Sequence, residues 1–329
     1  SKIKKYLSES RGAPRCENLR LEELASLVAG VKQVVYTSIS GSADARVMAE
    51  MCADLKLEKI ALDYDRNIYK DEKAASVLIG TDGGKLRAAA KHYNSAVSGR
   101  AKAEAEYEWG ADLGYPQCCV KAFGKWQLSL DREDLIFHIF SGSQKNTPVS
   151  FLMNNVCSYF SRLVKPEDPA DCRAFKELNR GSDLDAVLPW HPCSYNCAAS
   201  LAGAGKIYEV LAHYMPHLAA SRRDRLSKPV IFWDKFLFAV LDGSCRREGG
   251  GISVSYEKVC GPRSLLSPET RAAVDRHSRL RISAAGSIVS PRAPRLPGKY
   301  IFLPFTSGGF PAAGPSRGAG RTGRGERAG

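Results

Sequence analysis

An α/β fold is what this chain predicts: a small parallel sheet of βα units at the N-terminus, then a mostly helical cysteine-motif region, then a disordered C-terminal tail. Three observations carry that expectation. Short apolar runs alternate with helical patterns over the first part, two proline turns each lead into a helical pattern carrying a pair of cysteines, and acids almost vanish after residue 270. The same observations divide the chain into a βα-type part (1–97), a cysteine-motif domain (98–269) and a basic Gly/Pro/Arg-rich tail (270–329).

"QVVYTSI" (33–39) reads as a buried strand. "SADARVMAEMCADLKL" (42–57) sets Val47, Met51 and Leu55 on one helical face behind Ser42 as N-cap. "KIALDYD" and "ASVLIG" (75–80) follow as strands, and "DGGKLRAAAKHYNSAV" as a helix opened by Asp82. Strands separated by helices predict parallel pairing. The polar stretch 98–114 predicts a helix closed at Gly114. Pro116 then opens another, running to about Leu128, with Cys118 and Cys119 in its first turn. From 129 to 230 helices dominate, most clearly over 148–164. "DAVLPWHPCSYNCAASLAGAGKIYEVLAHYM" (185–215) predicts a strand, turns at Pro189 and Pro192, and a helix; "PVIFWDKFLFAVLDG" (229–243) predicts a strand or hairpin.

The net charge of +13 looks like an invitation to nucleic acid until it is divided along the chain. Residues 270–329 hold eleven Lys and Arg against Asp275 and Glu326, which leaves only +4 for the rest. Nucleic acid is therefore a candidate partner only through the tail, whose composition cannot bury enough apolar surface to fold and reads first as a plain disordered extension. No partner is read from the folded part. "SKIKKYLSES" has no apolar run behind its basic residues, and "VIFWDKFLFAVL" is interrupted by Asp234 and Lys235 and is too short to span a bilayer. A cytoplasmic location, without membrane contact, is expected. Ten cysteines in that setting read as thiols or metal ligands rather than disulfides.

The chemistry concentrates in "LGYPQCC" (113–119) and "HPCSYNC" (191–197). Cys193 and Cys197 are four apart, so on one helix they would share a face and could bridge one ion. Each motif is a proline turn leading into a helix, where unpaired N–H groups and the dipole favour a thiolate. Convergence of the two would surround a point with Cys118, Cys119, Cys193 and Cys197, with His191 alongside, a donor set suited to zinc or to an iron–sulfur cluster. Adjacent cysteines strain when both bind one ion. The expectation is accordingly that one of Cys118 and Cys119, with Cys193 and Cys197, provides three ligands and leaves a position open, as catalytic sites do. Cys119 is the choice, one residue deeper in the turn and aligned with Phe123. Tyr115, Asn154, Asn155 and Ser200 are candidate pocket residues, since buried amides within "FLMNN" would need partners. Cys16, Cys52, Cys157, Cys172, Cys245 and Cys260 read as packing residues.

Other patterns are weaker. His213 and His217 have Pro216 between them and no acid close by. "GTDGGKL" (80–86) lacks the phosphate-loop spacing and reads as a tight strand-to-helix turn. "SISGSADA" (38–45) is a strand-to-helix loop of a common anion-binding kind.

The pair of cysteine motifs resembles an uncharacterised archaeal and bacterial family catalogued as domain of unknown function 483. The resemblance covers roughly residues 75–243 and rests on Gly114, Tyr115, Pro116, Cys118, Cys119, Asn154, His191, Cys193, Cys197 and Ser200, with a "VLIG" strand before them and "LDG" after. It implies a shared site and no particular reaction. Three function classes follow from the residues: an enzyme using an open position on a cysteine-held metal, a binding protein with a structural zinc site, and a metal-free thiol redox protein using Cys118 and Cys119.

Overall fold

The computed structural model describes residues 2–10, 12–16, 18–62, 74–98, 102–129, 134–145, 147–156, 186–234, 237–248, 251–260, 267–276, 279–282, 288–289 and 299–308. Helices α1 (Lys2–Tyr6) and α2 (Leu21–Val28) precede β1 (Val34–Ser40), α3 (Gly41–Leu55), β2 (Glu58–Ala61), β3 (Ala74–Gly80) and α4 (Gly83–Val97). The three strands lie in the order β1-β3-β2, and β3 is antiparallel to both neighbours, so the expected parallel sheet is not formed. The connections explain why. Helix α3 returns the chain so that β2 runs with β1, as in a βα unit. Between β2 and β3 the sequence offers no helical pattern of apolar residues for a crossover, and β3 comes back between the other two. The "GTDGGKL" turn is a capped helix start. Asp82 accepts from the N–H groups of Gly84 and Lys85 at 2.8 and 3.1 Å and Glu58 from that of Gly83 at 3.2 Å, so carboxylates hold the amides a phosphate would use.

Helices α5 (Lys102–Asp112), α6 (Gln117–Leu128) and α7 (Leu135–Ser141) follow. The helix expected over 148–164 is replaced, as far as Val156, by strand β4 (Val149–Ser150) and a 3₁₀ turn (Phe151–Met153); its remainder lies outside the described residues. Side chains that compete for the backbone account for the break: the Ser150 hydroxyl accepts from Leu152 N–H and Asn154 Oδ1 from Val156 N–H. The strand expected at the start of 185–215 is also absent from its described part. Residues 186–192 are irregular chain, in which Pro189 and Pro192 have no N–H for a ladder. Helix α8 (Ala198–Tyr214) then runs to α9 (Pro216–Leu226), and Pro216 starts the second helix, which separates His213 from His217.

Among the described residues, the C-terminal part forms a six-stranded antiparallel sheet. Strands β5 (Val230–Asp234), β6 (Leu237–Glu248), β7 (Gly251–Cys260), β8 (Arg279–Ile282), β9 (Ile288–Val289) and β10 (Ile301–Leu303) take the order β10-β5-β6-β7-β8-β9, with α10 (Pro268–Arg276) between β7 and β8 in sequence. Strands β5 and β6 are the hairpin expected at 229–243. β11 (Phe305–Thr306) pairs with β4. Ordered strands up to Thr306 correct the expectation that everything after 270 is disordered. Ile301, Phe302, Leu303 and Phe305 are buried, and that apolar surface offsets the cost of ordering the chain. Residues from 309 onward lie outside the described ones.

One core joins N-terminal and C-terminal residues. Leu7, Val35, Met48, Cys119, Ile207, Phe232, Val240 and Phe305 belong to a single buried cluster. Alternate residues of the same strands, Ile231, Leu241 and Phe302, face a second cluster with Val254 and Val274. Among the described residues no helix is long and apolar enough to cross a membrane.

Candidate metal centre

The turn that delivers Cys118 and Cys119 is held from below. Gly114 has φ +78°, and a Cβ there would lie 3.2 Å from both Lys32 Cα and the Val31 carbonyl oxygen, so this position suits glycine alone. Tyr115 is clamped between the Lys32 ammonium, 4.9 Å from its ring centre, and the Trp190 ring at 5.7 Å. Lys32 is itself buried and paired with Glu23 at 2.7 Å. Pro116 is the N-cap of α6; its carbonyl accepts from the N–H groups of Cys119 and Val120. Cys118 and Cys119 therefore occupy the first helical turn, as expected.

The second motif departs from expectation in one respect. Cys197 is the N-cap of α8, whereas Cys193 sits in the turn before it, so the two do not share a helical face. They converge nonetheless, because the Cys197 N–H donates to the Ser194 carbonyl and bends the chain back. Gly142, at the end of α7, lies against this turn so closely that a Cβ would be 2.8 Å from the Cys193 carbonyl oxygen.

The two motifs meet. The sulfurs of Cys118, Cys119, Cys193 and Cys197 all lie within 4.8 Å of one another. Cys118 is 3.9 Å from Cys119 and 3.7 Å from Cys197, and Cys119 is 3.7 Å from Cys197. Both adjacent cysteines thus enter the cluster. His191 is not a member. It stacks on Phe123 at 6.2 Å, and its Nδ1 is 3.2 Å from the Asn155 amide nitrogen. The Tyr195 hydroxyl donates to Asn155 Oδ1 at 3.1 Å, which leaves the Asn155 NH₂ to donate to His191. Asn155 therefore braces His191. Asn154 has a different task, donating to the Leu226 carbonyl at 2.8 Å to tie its turn to the end of α9.

Ser200 completes the site from the first turn of α8. The Trp190 indole N–H donates to its oxygen at 3.0 Å, so the hydroxyl proton is available to Cys119 Sγ, 3.1 Å away. The Cys193 backbone N–H donates to the same sulfur at 3.3 Å. Trp190 and Tyr195, which sequence reasoning passed over, are the supports of the site; the aromatic pair flanking "HPCS" was the signal available.

These contacts divide the thiols electrostatically. Cys197 is held down to about 4, first by the hydrogen bond from Cys119. Cys119 is pushed up because it gives that hydrogen bond and because it is buried. Burial, reinforced by the charge of Cys197, pushes Cys193 up to about 11. The same contacts favour a thiolate at Cys197 over one at Cys119 or Cys193.

Compared with known proteins, the chain matches no family model, no curated protein and no solved structure.

Proposed function

We propose that the protein is a metal-binding protein whose Cys118, Cys119, Cys193 and Cys197 hold one zinc ion. The observation that carries this is the spacing of the sulfurs. Four sulfurs each about 2.3 Å from a central zinc stand about 3.8 Å from one another. Sulfur separations of 3.7, 3.7 and 3.9 Å have that size before any ion is present. An iron–sulfur cluster spreads its thiolates over several irons and suits a wider set. With Cys193 also within 4.8 Å of the other three, four thiols are at hand, the number that completes a tetrahedral zinc, and this favours a closed site over the three-ligand site with an open position. Zinc there would join the first turn of α6 to the start of α8, and Ser200, Trp190 and the Cys193 amide would orient Cys119 toward it. The likeness of the two motifs to the uncharacterised family is read in the same way: what the family shares is this four-thiol site.

The test is metal analysis of protein purified without oxygen, followed by titration of the metal-free chain with zinc. One zinc per chain, lost when Cys119 or Cys193 is replaced by alanine, is the expected result. Iron with sulfide in stoichiometric amount would replace this reading by an iron–sulfur one, and full retention of metal in both variants would remove the site.

A further inference from the structure

The four thiols differ in how they meet solvent. Cys118 is exposed, Cys193 is intermediate, and Cys119 and Cys197 are buried. They differ equally in hydrogen bonding. Cys119 receives the Cys193 N–H and lies against the Ser200 hydroxyl, whereas Cys118 Sγ has the sulfurs of Cys119, Cys193 and Cys197 as its neighbours. In a centre of four thiolates these differences decide reactivity. A donor aimed at sulfur withdraws the electron density that a nucleophile uses, and burial bars the approach of a reagent. Four thiolates around a dication also carry excess negative charge, which rests least on a sulfur that accepts N–H or O–H donors, as Cys119 does; between Cys118 and Cys193 the greater exposure of Cys118 decides.

We infer that Cys118 is the nucleophilic ligand of this centre, the thiolate that accepts an alkyl group from a soft electrophile arriving from solvent. The inference rests on the zinc reading above. In the step, a lone pair of Cys118 sulfur forms the S–C bond while the bond from that carbon to its leaving group breaks, and the leaving group departs with the bonding electrons. Cys118 becomes a thioether and the centre loses one negative charge. No oxidant or proton is consumed. Cys119 and Cys197, shielded behind it, keep their thiolates for the metal.

Zinc-loaded full-length protein treated with less than one equivalent of iodoacetamide, then digested and mapped by mass spectrometry, tests this, with zinc measured on the same sample. Cys118 should carry at least ten-fold more adduct than Cys119, Cys193 or Cys197. In excess zinc, its alkylation rate should stay within two-fold between about pH 6.5 and 8, because a metal-held thiolate does not need to lose a proton. Cys118→Ser should lower labelling of the four-thiol site ten-fold or more. Zinc at one per chain with adduct falling first on Cys193, or evenly, overturns the inference and leaves the zinc site standing. A Cys118 rate that falls about ten-fold per pH unit also overturns it, since that marks an ordinary exposed thiol. A chain that takes up no zinc overturns both, and the metal analysis shows this independently of the label.

Discussion

Two groups of cysteines share one hydrophobic core and have different chemistry. Cys16 and Cys52 lie buried near α3, in the same cluster of apolar side chains that receives Cys119 and Cys197. Cys16 is pushed up to about 12 by burial, with the charges of Asp44 and Cys52 adding to it, and Cys52 is likewise raised by burial. The hydrogen bond recorded for the Cys16 thiol is a long one, 3.9 Å to the Asp44 carbonyl. Cys197 is nearly as buried, yet its neighbours include thiols and a hydroxyl, and it is held down to about 4. Burial alone makes a cysteine a small hydrophobe. What sets Cys197 apart is a polar helix start that brings further sulfurs and donors to within hydrogen-bonding distance.

The largest break in this comparison should come from Cys197→Ala. Zinc content is expected to fall from one per chain to below about a tenth, and the unfolding midpoint by roughly 10 °C, since a metal bound only by the folded state stabilises it by several kcal/mol. Metal analysis with calorimetry checks both. Unchanged zinc would put Cys197 with the packing cysteines.

Acid should separate the two groups next. Cys119 and Cys193 are raised and therefore protonated in the metal-free protein at neutral pH, so zinc must displace at least two protons. Its affinity then weakens as pH falls, by at least about a hundred-fold per unit. Zinc titrations at several pH values read the slope, and a slope near zero would show that these thiols are not ligands.

Ser200→Ala sharpens the contrast at the level of support. It removes a donor to Cys119 and leaves the Trp190 N–H without its acceptor. Zinc affinity should drop about ten-fold while the fold persists, as losses around metal ligands usually do. An affinity within two-fold of the parent protein would contradict the support role.

The smallest effect is expected on the other side. Cys52→Ala should cost about 1 kcal/mol of stability through lost packing, seen as a shift of a few degrees, with zinc content unchanged. Loss of zinc in this variant would mean that the two groups are coupled through the core.

The site was more legible in the sequence than the fold around it. "LGYPQCC" states its structure locally: Gly114 takes a positive φ, Pro116 caps the helix, and two thiols fall in its first turn. Such rules act within a few residues and need no knowledge of the rest. Pairing in the N-terminal sheet depends on how the segment between β2 and β3 returns, and strand periodicity is the same for parallel and antiparallel neighbours. The tail misled for a different reason. Its average composition is that of a disordered chain, yet "YIFLPF" within it is apolar enough to add β10 beside β5 and β11 beside β4. That both adjacent cysteines reach Cys197 from the first helical turn was not legible either, because it depends on where the second motif places Cys197.

X-ray absorption of the zinc-loaded protein tests the central claim most directly. A shell of four sulfurs at about 2.3 Å, with no nitrogen or oxygen neighbour, is the predicted result. A shell with three sulfurs and one nitrogen or oxygen at about 2.0–2.1 Å would contradict it, returning an open or histidine-completed position to the metal.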